Sequence, residues 1–137
     1  MISAETPPPT QASGRPVIAV FEDEPVAREF FQRALEGPYT VLTYSRITDG
    51  LEALERADMV LGDWCMPGGG GEALLRYLDG MTAPPPLTVV TALSIFDKRL
   101  QAVRHRGIPI LSKPVSLLEI NAHIASVIAS LAAPETA

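Results

Sequence analysis

Asp63 stands where a short apolar run, Met59-Val60-Leu61, meets a loop rich in proline and glycine, WCMPGGGG. A buried parallel strand that ends this way delivers a carboxylate to the C-terminal edge of its sheet, where open α/β sheets bind their ligands. Two other apolar runs end in groups that suit the same edge. VIAVFEDEP, Val17 to Pro25, closes on Glu22 and Asp23, and ILSKP, Ile110 to Pro114, closes on Lys113 before a proline. Three carboxylates and one ammonium converging there make a site for a divalent cation and a phosphoryl group. Mg²⁺ is a hard cation held by one or two carboxylates with waters and phosphate oxygens. Its two positive charges balance the two negative charges that the ammonium leaves over. Asp63 can then act as a nucleophile on phosphorus, because nearby charge neutralises the phosphoryl oxygens. The competing explanation for each acid alone is a turn or helix cap, and Glu24, next to Pro25, is assigned to that role.

The elements that must position these residues alternate along the chain. Val17 to Phe21 is continuously apolar, which predicts a central strand covered on both faces. Pro25 opens a helix to Leu35, since proline at the first turn loses no needed N–H, and Gly37-Pro38 stops it. Tyr39 to Tyr44 reads as a strand, Ile47 to Arg56 as a short helix, Met59 to Asp63 as the third strand and Glu72 to Leu78 as a helix. Leu87 to Thr91 follows as a strand, Ile95 to Arg106 as a helix, and Ile108 to Ser112 as a strand. Pro109 argues that this last strand lies at an edge, where a missing ladder N–H is tolerated. The apolar stripe Leu117, Ile120, Ile124, Val127, Ile128 and Leu131 predicts an amphipathic helix over Ser116 to Leu131. Five strands alternating with five helices imply a doubly wound parallel sheet.

The chain has 137 residues, 47% of them hydrophobic, and a formal charge of −5. That suits one globular domain, and the charge argues against a nucleic-acid surface, which needs clustered Lys and Arg. After Lys113 there is no Lys or Arg. A single cysteine, Cys65, excludes an intrachain disulfide and fits a reducing cytoplasm. No apolar run approaches the ~18 residues of a membrane span, which argues against a membrane partner. Residues 1–16 read as a flexible arm and 132–137 as a tail around a domain at 17–131. His105 and His123 lack metal-ligand spacing and read as surface residues. Phe31 shares the core face of the first helix with Leu35, leaving Phe30 either exposed or partly covered by the arm.

Four signatures in order, Glu22-Asp23, DWCMPGGGG, Thr91-Ala92 and Lys113-Pro114, resemble the receiver domain of two-component response regulators over Val17 to about Leu131. The resemblance implies a flavodoxin-like strand order 2-1-3-4-5. It implies that Asp63 is the phosphorylated residue and that Asp23, Asp63 and the backbone carbonyl of Cys65 bind Mg²⁺ directly, with Glu22 acting through water. It further implies that Thr91 and Lys113 meet the phosphoryl group, that Trp64 and Ala92 offer backbone N–H groups to it, and that the Lys113-Pro114 bond is cis. Ile110 occupies the position of the switch aromatic found in many members.

The resulting expectation is a cytoplasmic, stand-alone regulator that is not a turnover enzyme. It takes phosphoryl from a sensor histidine kinase or a histidine phosphotransfer protein and signals to a downstream protein target, without nucleic acid or membrane. A phosphate sink or a relay intermediate is the alternative within the class. From another class, an aspartyl-phosphate phosphohydrolase would also use a strand-end aspartate. It usually carries a second acid two residues on, where this chain has Cys65.

Overall fold

The computed structural model describes residues 14–67 and 69–132. The chain runs β1 (Val17–Phe21), α1 (Pro25–Leu35), β2 (Thr40–Tyr44), a 3₁₀ turn (Ile47–Gly50) leading into α2 (Leu51–Leu54), β3 (Met59–Asp63) and α3 (Gly70–Asp79). It continues through β4 (Leu87–Thr91), a 3₁₀ turn (Lys98–Leu100) leading into α4 (Gln101–His105), β5 (Ile110–Ser112) and α5 (Leu117–Ala132). The five strands form one parallel sheet in the order β2-β1-β3-β4-β5. This is the flavodoxin-like order that the resemblance implied.

Alternation along the inner strands sends neighbours to opposite faces. Ala19, Phe21 and Val60 join one core with Leu54, Leu74, Leu78, Leu100 and Val103, beneath α2, α3 and α4. Ile18, Val20, Met59, Leu61 and Val90 join the other with Phe31, Leu35, Ile120 and Ile124, beneath α1 and α5. Every residue of β1, β3 and β4 is buried, as continuous apolar runs require of strands covered on both sides. β5 is the edge strand, and Pro109 just ahead of it still accepts from Val89 N–H at 2.9 Å.

Several element bounds depart from the sequence reading, three of them for local reasons seen here. The helix expected over Ile95 to Arg106 is shortened, because Asp97 caps the 3₁₀ turn by accepting from Arg99 N–H at 2.9 Å. Ile95 and Phe96 stay in an exposed loop as a result. The helix expected over Ile47 to Arg56 begins as a 3₁₀ turn ending at Gly50. A Cβ at Gly50 would lie 2.5 Å from the Tyr44 ring and 2.7 Å from that of Phe21. Ser116 stands outside α5 as its cap: its hydroxyl accepts from Glu119 N–H at 3.0 Å while the Glu119 carboxylate accepts from Ser116 N–H at 3.4 Å. That reciprocal pair is a capping box.

Residues 1–13 of the expected arm and 133–137 of the expected tail lie outside the described residues. Of what remains of the arm, Arg15 donates to Gly37 O at 3.1 Å and Pro16 O accepts from Thr40 N–H at 2.9 Å. Both contacts tie the entry of β1 to the start of β2.

His123, expected at the surface, is half-buried and its Nε2 lies 2.8 Å from the hydroxyl of Thr88, a fully buried β4 residue. The α5 stripe is wider than its apolar residues alone suggested. Burial holds the imidazole below its usual range, so the unfolded chain binds the proton first as pH falls. The contribution of the neutral ring is full above the unfolded value of about 6.5 and is lost as pH falls through the lower folded value. Urea midpoints should therefore fall further between about pH 7 and about pH 5 for the parent than for His123→Gln, which keeps a polar partner for Thr88. Equal losses would contradict this account of the ring.

Candidate phosphoryl and metal site

The topology brings the acids together. In the parallel pairing of β1 with β3, Phe21 lies opposite Gly62, so Glu22 and Asp63 leave adjacent strands at the same level. A Cβ at Gly62 would meet the end of the Leu74 side chain at 2.6 Å, so a larger residue there would have to displace it. Oxygen atoms of Glu22, Asp23 and Asp63 lie within 4.8 Å of one another. Lys113 reaches the same point from the end of β5, with Nζ 2.8 Å from Glu22 Oε1 and 3.2 Å from Asp63 Oδ2. Glu22 is 1% exposed and Asp63 8%, so both carboxylates are largely withdrawn from water.

Burial raises the pKa of Glu22, and the charge of Asp63 adds to that rise, while the Lys113 ammonium opposes it. Burial works against the Lys113 charge, but the two carboxylates outweigh it and leave its pKa raised. Apart from the Lys113 ammonium at 2.8 Å, the buried Glu22 Oε1 has no polar partner among the described residues. Three hard oxygen donors around one point, one of them short of a partner, fit a hard divalent cation.

The loops on either side are fixed by backbone contacts. Cys65 N–H donates to Asp63 Oδ1 at 3.1 Å, and Thr91 Oγ1, fully buried, accepts from Leu93 N–H at 3.0 Å. Lys113 N–H donates to Thr91 O at 2.8 Å, which ties β5 to β4 at the site. Ala92 is exposed beside it. Trp64 N–H, expected to face a phosphoryl group, donates to Val90 O at 3.2 Å and would have to leave that bond to do so. The Lys113-Pro114 bond is cis.

The glycines after Asp63 have a steric reason. Trp64 is 7% exposed and its ring covers the start of α3, where a Cβ on Gly71 would lie 2.1 Å from it. A Cβ on Gly70 would lie 2.6 Å from Trp64 O, and Gly69 and Gly70 both take positive φ. α3 begins at Gly70, two residues before the expected Glu72. Cys65 is exposed and carries no disulfide.

One contributor escaped the sequence reading. Arg28, one turn into α1, donates from Nη1 to Glu22 O at 3.0 Å and to Asp23 O at 3.3 Å. Its only sequence signal is the place of a cation five residues after the acid pair, on a helix that starts between them.

Fold and site together define a receiver domain. Residues 18–125 match the response regulator receiver domain family, and the chain belongs to it. Among relatives, it is 32% identical over 108 residues to the DNA-binding transcriptional regulator NtrC of Escherichia coli K12, covering 77% of this chain and 23% of that protein. The chain thus spans less than a quarter of that regulator's length. A response regulator receiver domain from Clostridium thermocellum superposes with a TM-score of 0.72 at 26% identity, over 84% of this chain and 95% of that one. The receiver domain of the sensor histidine kinase PA1611 from Pseudomonas aeruginosa PAO1 superposes at 0.74 with 21% identity, over 84% and 98%. That structure has a magnesium ion coordinated in its active site cleft. Among the described residues of this chain, no helix is long and apolar enough to cross a membrane.

Proposed function

We propose that Asp63 accepts a phosphoryl group from a histidine of a kinase or phosphotransfer protein, in an Mg²⁺-dependent reaction, and that the domain signals by protein contact from a cytoplasmic setting. The observation that carries this reading is the Asp63 carboxylate, with two further carboxylates within 4.8 Å and the Lys113 ammonium at 3.2 Å. A carboxylate oxygen of Asp63 forms the O–P bond while the P–N bond of the donor breaks, and the departing imidazole nitrogen takes up a proton. Asp23, Asp63 and the Cys65 carbonyl would hold Mg²⁺, with Glu22 behind a water. The ion supplies charge neutralisation at the phosphoryl oxygens. Lys113, the Thr91 hydroxyl and the Ala92 N–H are the groups of this chain that would meet the new anion. A phosphohydrolase is a weaker reading, since its second acid is replaced by the exposed thiol of Cys65.

The donor protein has an apolar approach beside the site. A groove of about 540 Å³ runs between α1 and the loop after β5, lined by Val26, Ala27, Phe30, Ala92, Pro114 and Val115. Val26 is 76% exposed, and Phe30 is half-buried with its ring edge-on to Phe31 at 5.4 Å. An aromatic and a valine at the rim of a phosphoacceptor suit a helix that carries a phosphohistidine.

Incubation with acetyl phosphate tests the reading. The protein should gain one phosphoryl group with Mg²⁺ and none with EDTA; equal uptake in both would overturn it. The phosphoryl group should also be long-lived. By the family resemblance, Cys65 and Leu93, two residues beyond Asp63 and Thr91, would flank the approach of the attacking water, and neither side chain type orients water for in-line attack. Replacing them with Asn and Glu respectively should raise the rate of dephosphorylation by roughly tenfold or more, within the range that a positioned general base supplies. A doubly substituted protein that loses phosphate no faster than the parent would contradict the water-positioning account.

A further inference from the structure

We infer that Arg28 is a positioning residue for the metal site: its guanidinium holds the backbone of Glu22 and Asp23 so that both carboxylates are set for the cation before it binds. The inference rests on the Mg²⁺-dependent reading above. The geometry is specific. One nitrogen, Nη1, donates to the carbonyls of both acids, at 3.0 Å to Glu22 O and 3.3 Å to Asp23 O. Arg28 N–H also donates to Glu24 O at 2.9 Å as the first turn of α1 closes. The same residue thereby grips three consecutive carbonyls of the acidic segment.

Among the described residues Arg28 makes no ion pair with a carboxylate, although Glu22 and Asp23 are the residues it touches. A guanidinium turned to carbonyls leaves the acid side chains free for another cation. Glu22 is held by three further contacts. Its N–H donates to Tyr44 O at 3.0 Å, its Oε2 accepts from Glu24 N–H at 3.2 Å, and its Oε1 faces Lys113. Asp23 has no such anchor on its side chain among the described residues; the peptide that follows it is held at its carbonyl by Arg28 and at its N–H, that of Glu24, by Glu22 Oε2. Charge-assisted bonds of this kind are the stronger ones. Outer partners of metal ligands typically alter metal affinity by about 10–100-fold when removed.

Trp64 is the single tryptophan of the chain and follows Asp63 directly, so its fluorescence serves as the binding signal. Mg²⁺ titration of Arg28→Met should give a Kd weaker by about tenfold or more, with Arg28→Lys intermediate because an ammonium can still reach one carbonyl. Labelling by acetyl phosphate should return toward the parent rate at saturating Mg²⁺. In the metal-free protein, amide exchange at Asp23 and Glu24 should quicken in Arg28→Met while exchange in β3 and β4 stays unchanged. Arg33→Met, on the same helix and paired with Glu29 among the described residues, should leave Kd unaltered. A Kd for Arg28→Met within about twofold of the parent, or a weakening matched by Arg33→Met, overturns the inference. Asp23→Asn is the separate check on the underlying reading: if it binds Mg²⁺ as the parent does, the metal site itself is wrong, whatever Arg28 shows.

Discussion

Asp63→Asn should take up no phosphoryl group from acetyl phosphate under conditions that label the parent fully, and Asp23→Asn should be labelled more slowly by at least about tenfold. The two outcomes have different causes. Asparagine at 63 keeps the size and the acceptor for Cys65 N–H, but an amide oxygen is not a nucleophile toward phosphorus. Asparagine at 23 leaves the nucleophile intact and removes one negative charge from the cluster. Even outer partners of metal ligands are worth about 10–100-fold in affinity, so for Asp23, which we propose as a direct ligand, that range is a floor and not a ceiling. Added Mg²⁺ should recover part of the rate for Asp23→Asn and none for Asp63→Asn. Undiminished labelling of Asp63→Asn would sink the assignment.

The second large effect is on stability, and its sign separates a poised cluster from an ordinary ion pair. Lys113→Met leaves Glu22, 1% exposed, beside Asp63 with no cation. Breaking a buried pair from one side costs about 3–5 kcal/mol when the remaining charge has no outlet. Lys113 is 24% exposed, and Glu22 can take up a proton, so about 2–3 kcal/mol is expected in metal-free buffer at neutral pH. Asp63→Asn relieves like-charge repulsion and should not destabilise the metal-free protein at all. Denaturation midpoints with EDTA check both. Saturating Mg²⁺ should raise the parent by mass action and narrow the gap to Lys113→Met. Destabilisation by both substitutions in EDTA would mean that Asp63 serves packing and not charge.

Much of this was legible in the chain because the strands are buried on both faces. Val17–Phe21, Met59–Asp63 and Leu87–Thr91 read as largely apolar runs, and each ends at or just before the residues proposed for site chemistry. The edge position of β5 followed from Pro109. The exact strand order came from the family resemblance and not from the runs themselves. What escaped were contacts between a side chain and a distant or non-periodic partner. Asp97 stops α4 from starting at Ile95 through one capping bond. His123 is drawn into the core by a hydroxyl 35 residues away. The reach of Arg28 back to the acidic carbonyls leaves no mark on hydrophobic periodicity. The glycines at 70 and 71 were visible as a loop, whereas their cause, the Trp64 ring and carbonyl against the start of α3, needed three dimensions.

The central claim is that the acceptor is the carboxylate at the end of β3. Borohydride reduction cleaves an acyl phosphate and leaves the acceptor aspartate as its alcohol, which peptide mass spectrometry locates. After acetyl phosphate and Mg²⁺, the reduced residue should be found at position 63 alone, and omission of Mg²⁺ should abolish it. Reduction at Glu22, Asp23 or any other acid, with position 63 unchanged, would contradict the account.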